Sequence, residues 1–496
     1  MLFNSFSFLL FFPIVTLLYF AVPHRARYLW LLVASYYFYM SWNPKYAVLI
    51  AASTLITYLS GILIGREVAL PGGGAVWKKR LWVLLSMSSN LAILFFFKYF
   101  DFFIVNVNRI LASSGLELLN PSFDVILPVG ISFYTFQALS YTMDVYRGQI
   151  YVEKNLFKYA LFVSFFPQLV AGPIERSKNL LVQISKRHTF DWQRMVDGLL
   201  LMLWGFFLKL VIADRVAILV NTVYNEPGSY EGLTLVFATI CFGIQIYCDF
   251  ASYSVIAIGS AQVMGFRLMD NFRQPYFSRS IGEFWRRWHI SLSTWFRDYL
   301  YIPLGGCRKG TARKYLNVMI VFIVSGLWHG ANWTFVIWGF LHGAFQVIGQ
   351  ITRPWKEWVA DKLGIDRDAA SFKLGQMVIT FILANFAWIF FRAPSLTAAR
   401  EIISGIGAVW NPWILTDGSL FLLGLTAKSF WAGVVAILIL IGVSAAQYRG
   451  VRIRETFARQ GIIFRWIVTL GLIFAVIIFG IYGPGYSASQ FIYFQF

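Results

Sequence analysis

His329 stands in the stretch SGLWHGANWTF (325–335), inside the apolar run VMIVFIVSGLWHGANWTFVIWGFLHG. An imidazole is the commonest general base near neutral pH, and burial favours the neutral form that accepts a proton. An ionisable group at membrane depth reads by default as functional, against a structural reading in which the ring bonds a carbonyl freed by a helix break. His289 is the second candidate, with Trp285 one turn before it and Trp288 beside it. Its competing role is that of an amphipathic ring at a water–lipid boundary. His342, thirteen residues past His329, is followed by Gly343 and reads as packing or interfacial.

Other polar residues interrupt apolar surroundings. Asp249 lies within GIQIYCDFASYS with Gln245 one turn earlier, and is either bonded to an arginine or part of a polar tunnel. The stretch FFPQLVAGPIERSKN (165–179) pairs two prolines with Gln168, Glu175 and Arg176; it is a simple inter-helix loop or a mouth for an anionic donor. There is no phosphate-binding G-x-x-x-x-G-K-[ST], no H-E-x-x-H, no G-x-S-x-G, and no carboxylate pair at helical spacing inside an apolar segment. ATP-driven transport, zinc proteolysis and serine hydrolysis are thereby disfavoured. Cys241, Cys248 and Cys307 have neither metal-site nor disulfide-framework spacing.

The elements that must carry these residues are membrane helices. Of 496 residues 58% are hydrophobic and 13% charged, and the mean hydropathy is +0.64, outside the range of soluble domains. Apolar segments are expected at 5–22, 28–42, 46–65, 81–100, 126–146, 156–172, 197–220, 232–265, 315–328, 333–350, 374–392, 430–446 and 463–482. The first lacks a basic region ahead of it and is expected to be a retained span rather than a cleaved signal. The net charge of +19 falls in blocks between segments, as expected for cytoplasmic loops rather than a nucleic-acid surface. With every block inside, the N-terminus lies outside, and 156–172, flanked by basic residues on both sides, reads as re-entrant or as a short helix lying in a cytoplasmic mouth.

The same reasoning shapes the surroundings of His329. Residues 315–350 would make about 54 Å of helix against a hydrocarbon core of about 30 Å. With basic segments at both ends, a hairpin broken near Gly326, Gly330 and Asn332 fits best, and places His329 at its turn. Ser280 and Glu283 form a capping-box pattern. From there Trp285, Trp288, His289, Leu292, Trp295, Phe296 and Tyr299 recur on one face, with Arg286, Ser293 and Arg297 opposite. This predicts one amphipathic helix lying at the interface and ended by Pro303 and Gly305-Gly306. No fixed-period repeat and no separate soluble domain is present, so 1–496 reads as a single membrane-embedded domain.

Several long motifs, in order, carry a family resemblance: QLVAGPIER (168–176), CDFASYSVIAIGSAQVMGF (248–266), NFRQPYFSRSIGEFWRRWHISLSTWFRDYLYIPLGG (271–306), SGLWHGANWTFVIWGFLHG (325–343) and the C-terminal FIYFQF. The chain resembles the membrane-bound O-acyltransferases, most closely the bacterial alginate O-acetyltransferase type, and the match is densest over about 128–345. The resemblance implies an all-α polytopic fold: a ring of about 11–13 membrane helices around a central tunnel, with re-entrant and amphipathic cytoplasmic helices. It implies that His329 is the catalytic histidine and His289 the second characteristic polar position. Trp288, Trp328, Asn332, Arg286, Arg287, Gln168 and Asp249 are the candidate donor- or tunnel-lining residues.

The implied chemistry is O-acetylation of an exported polysaccharide such as alginate, from a bacterial inner membrane. An acyl thioester, acetyl-CoA or an acyl carrier protein's, enters from the basic side, where Arg286, Arg287, Arg308 and Lys309 meet phosphates or an acidic carrier. No bound cofactor and no metal is implied, and the partners are an extracytoplasmic acetyl-accepting protein, the polysaccharide and the bilayer, not nucleic acid. Two other readings stay open on the residues. A flippase for a lipid-linked glycan shares the apolar bulk and basic face, though no internal repeat supports it; an acyltransferase for a lipid or protein differs only in acceptor.

Overall fold

The computed structural model describes residues 1–120, 128–170, 172–482 and 492, and among these every regular element is helical. The FIYFQF motif lies outside the described residues except for Ile492, as do Ala171 of QLVAGPIER and residues 126–127 of the fifth expected segment. Among the described residues, eight helices are long and apolar enough to cross a membrane: Tyr46–Ala69, Val76–Lys98, Trp192–Asn225, Leu233–Met264, Trp333–Ile351, Ala370–Arg392, Ala427–Tyr448 and Ile462–Phe479. This is a multi-pass membrane protein. Several other expected segments form shorter helices, such as Phe6–Ala21 and His24–Met40, while Phe100–Ser113, Arg353–Lys362 and Leu396–Ala408 are helices that apolar run length does not disclose.

The described chain forms two compact units, Met1–Met202 with Ile256–Met269, and Leu203–Val255 with Asp270–Phe496. In the first, helix Tyr46–Ala69 packs on Val76–Lys98 and on Ile131–Tyr146. Lipid supplies no hydrophobic drive between helices, so small residues and polar bonds hold such contacts. A Cβ on Gly61 would lie 2.6 Å from the Tyr141 ring. Ser86 and Thr142 share a hydroxyl bond of 3.1 Å, and Tyr159 Oη donates to Thr57 Oγ1 at 2.7 Å.

The expected segment 156–172 is two short helices, Leu156–Ser164 and Phe166–Leu169, divided at Phe165. Nine residues of helix reach only about 14 Å, too little to span a bilayer. Asn155 caps the first helix through bonds from the Phe157 and Lys158 N–H groups. At the break, the Phe162 carbonyl accepts from Gln137 Nε2 at 2.5 Å and from Gln168 Nε2 at 2.7 Å.

In the second unit, helices Thr311–His329 and Trp333–Ile351 form an antiparallel hairpin. Their backbones touch at two glycines. A Cβ on Gly326 would sit 2.2 Å from the Phe335 carbonyl oxygen, and one on Gly339 2.2 Å from that of Phe322. The break therefore falls at Gly330–Asn332; Gly326, expected there too, is an inter-helix contact instead. Asn332 restarts the helix by accepting the Thr334 N–H at 3.1 Å, and its Nδ2 donates to the Pro394 carbonyl at 3.0 Å.

The single amphipathic helix expected from Ser280 onward is corrected. Its capping box forms, Ser280 Oγ accepting the Glu283 N–H at 3.2 Å and Glu283 Oε2 the Arg279 N–H at 2.9 Å. The helix nevertheless stops at Arg287 and resumes at Ile290. Between them His289 takes φ 42° and ψ 55°, a left-handed conformation that histidine tolerates better than most residues. Its aromatic face is turned into protein, with Trp285, Trp288, His289, Leu292 and Trp295 all buried. A periodic apolar pattern looks the same whether it faces lipid or protein, and it does not encode a one-residue reversal.

Candidate active site

His329 is the last residue of its helix and 5% exposed. Its imidazole lies edge-on to Trp338 at 5.0 Å and to Phe391 at 5.3 Å between ring centroids. Trp328 is the common neighbour of both candidate histidines, 4.9 Å from His329 and 6.2 Å from His289. His289 is fully buried, with Phe250 at 4.6 Å on another side. Loss of hydration there pushes its imidazole far below the usual value, to about 3, so it is neutral at physiological pH.

The turn carrying His289 is held by Asn271, which sequence reasoning did not single out. The Asn271 carbonyl accepts the Ile290 N–H at 3.0 Å, its Oδ1 accepts from the Ser291 hydroxyl at 2.7 Å, and its Nδ2 donates to Ser254 Oγ at 2.9 Å. The available signal is an asparagine at the head of the NFRQPYF stretch after a long helix. Trp288, 1% exposed, packs against Phe284, Phe272 and Trp388 at 5.0–5.3 Å and forms an aromatic wall beside His289.

The basic candidates divide. Arg287 is engaged by Glu283 at 2.8 Å and stacks over the Tyr448 ring, whereas Arg286, Arg308 and Lys309 are exposed. Asp249 is paired, but with a lysine rather than the expected arginine: Lys209 Nζ lies 2.5 Å from Asp249 Oδ1 and 2.8 Å from Asp214 Oδ1. Asp249 Oδ2 accepts the Ile492 N–H at 2.8 Å. Lys209 lies in a π-helical stretch, Phe207–Ala213. A lone lysine in GFFLKLVIAD is the signal that was passed over. Gln168 belongs to the first unit and bonds the freed Phe162 carbonyl, a scaffold contact.

The structure thus brings His289, Trp328, His329 and Trp288 into one aromatic enclosure, with Asn332 holding the turn next to His329. The membrane-bound O-acyltransferase family model matches residues 152–362, which include all five. The chain is 41% identical over 84% of its length to a probable alginate O-acetylase of Pseudomonas putida, covering 82% of that protein. It is 35% identical to a peptidoglycan O-acetyltransferase of Helicobacter pylori, over 82% of this chain and 80% of the relative. A teichoic acid D-alanyltransferase of Bacillus subtilis is 27% identical over 48% of this chain and 62% of its own.

Proposed function

The chain belongs to the membrane-bound O-acyltransferase family, and on that premise we propose that it exports an acetyl group to an extracellular polysaccharide such as alginate. The donor in this reading is a cytoplasmic thioester, acetyl-CoA or an acyl carrier protein's. The immediate acceptor is an extracytoplasmic protein that passes the acetyl group to the polymer, and the site of action is a bacterial inner membrane. The relatives, a probable alginate O-acetylase and a peptidoglycan O-acetyltransferase, support a glycan as the final acceptor.

The observation that carries the reading is His329 at the vertex of a broken hairpin, nearly buried and across Trp328 from a second buried histidine. In the proposed step His329 takes the proton of the acceptor hydroxyl as its oxygen bonds the thioester carbonyl carbon. The carbon–sulfur bond then breaks, and the sulfur takes that proton from His329 and leaves as the thiol. General-base action of this kind is worth about 10² to 10⁴ in rate. His289, neutral and buried, orients the thioester, while exposed Arg286, Arg308 and Lys309 suit donor phosphates or an acidic carrier.

The test replaces His329 with alanine at unchanged membrane abundance and measures base-released acetate alongside polymer yield. Lost acetate with normal yield is expected. Normal acetylation sinks the reading, and lost polymer favours glycan transport.

A further inference from the structure

His342 reads from the sequence as a packing residue, yet its hydrogen bonding says more. Trp285 Nε1–H donates to His342 Nδ1 at 3.2 Å. An indole nitrogen can only donate, so Nδ1 carries a lone pair and the neutral imidazole holds its proton on Nε2. That Nε2–H is buried and has no acceptor among the described residues. One turn earlier on the same helix, Trp338 Nε1–H is in the same condition, fully buried and without an acceptor. The two rings lie 5.0 Å apart, and Trp338 is itself 5.0 Å from the His329 ring.

Buried N–H groups are nearly always bonded, and neighbouring exceptions on one helix need an explanation. The rings around His342, those of Phe284, Phe322, Phe345, Trp285, Trp338 and Trp388, carry no oxygen. Both orphaned groups are donors only, so what completes them is an acceptor, and no described residue supplies it. A helix hairpin packed through Gly326 and Gly339 holds both on one rigid element with the neighbouring His329. Preset donors of this kind stabilise an oxygen on which negative charge develops.

We propose that Trp338 Nε1–H and His342 Nε2–H bind the carbonyl oxygen of the acyl group under transfer, and that Trp285 sets the His342 tautomer for this. The proposal rests on the acyl-transfer reading above. It assigns oxygen binding to this pair and leaves proton transfer to His329.

The test measures base-released acetate from whole cells, and transfer from radiolabelled acetyl-CoA in inverted membrane vesicles, at matched protein abundance and melting temperature. His342→Phe keeps a ring and removes the donor, His342→Gln keeps an N–H, and Trp338→Phe removes the second donor. Both phenylalanine variants should lose about 10²-fold in turnover, chiefly in kcat. The glutamine variant should recover a substantial part, and Trp285→Phe should fall between wild type and His342→Phe. Wild-type turnover in His342→Phe and Trp338→Phe, with His329→Ala inactive, returns the pair to packing and overturns the proposal alone. Normal acetylation in His329→Ala overturns the transfer reading, and this proposal with it. If His342→Phe fails to accumulate, His342→Gln and Trp338→Phe decide: a folded Trp338→Phe at wild-type turnover is equally fatal.

Discussion

Asn271 holds His289 in place through the residues that follow it, its carbonyl bonding the Ile290 N–H at 3.0 Å and its Oδ1 the Ser291 hydroxyl at 2.7 Å. Removing its side chain leaves the Ser254 and Ser291 hydroxyls short of a buried partner, a loss of about 1–3 kcal/mol. Asn271→Ala should therefore lower both the melting temperature and acetyl transfer. Asn271→Asp, which keeps the acceptor for Ser291, should retain more of each. Equal transfer in the two variants at equal abundance would detach Asn271 from the site.

His289 makes a separate prediction about pH. Its imidazole, pushed down to about 3 by burial, is already neutral well below physiological pH and gains a proton only in strong acid. Its charge state therefore adds no titration to the rate profile between pH 5 and 9. His289→Asn, which also tolerates the left-handed backbone, should transfer more slowly than wild type but less severely so than His329→Ala. Its acid limb should match that of the wild type; a shifted limb would contradict the neutral assignment.

Glu175 links stability to pH in the first unit. Its carboxyl accepts the Met269 N–H and, at 2.6 Å, Asn179 Nδ2, yet burial pushes it up from 4.5 to about 7. The folded chain thus holds this proton more tightly than the unfolded chain. The associated stability is complete below about pH 4.5 and is lost as pH rises to 7, with an upper bound on the order of 3 kcal/mol. Glu175→Gln should narrow the difference in melting temperature between pH 5 and pH 8. An unchanged difference would place the ionisation elsewhere.

Lys209 bridges Asp249 and Asp214 at 1% exposure. Removing one member of a buried ion pair costs about 3–5 kcal/mol because the remaining charge is stranded. Lys209→Met should reduce membrane abundance sharply, and Asp249→Asn, which keeps a polar group on the lysine, should do so less. Comparable abundance in wild type and Lys209→Met, measured by blotting of membranes, would contradict this.

The hairpin vertex at His329 is legible in the sequence because chain length, helix rise and bilayer thickness together allow few alternatives. Charge placement likewise marks 156–172 as a segment that does not span, but not its division at Phe165. The enclosure around the histidines is less legible. Trp285 to Tyr299 has one helical period throughout, and the reversal at His289 is held by contacts from Asn271, which lies ahead of that stretch and outside its period. The partner of Asp249 was missed because Lys209 lies 40 residues away, on a stretch whose π geometry no local pattern announces. His342 shows the converse: its residue type is visible in sequence, but the tautomer comes only from the Trp285 contact.

The contact of Gly326 and Gly339, where even a methyl group would strike a carbonyl oxygen, makes the hairpin an unforgiving hinge pin for the site. Trp288 and its aromatic neighbours form a wall whose side chains can be exchanged one at a time. The pin cannot be altered gradually, since the first step, glycine to alanine, already pries the helices apart. Diversification of acyl group or acceptor in such a scaffold should therefore accumulate in the wall while the two glycines stay fixed.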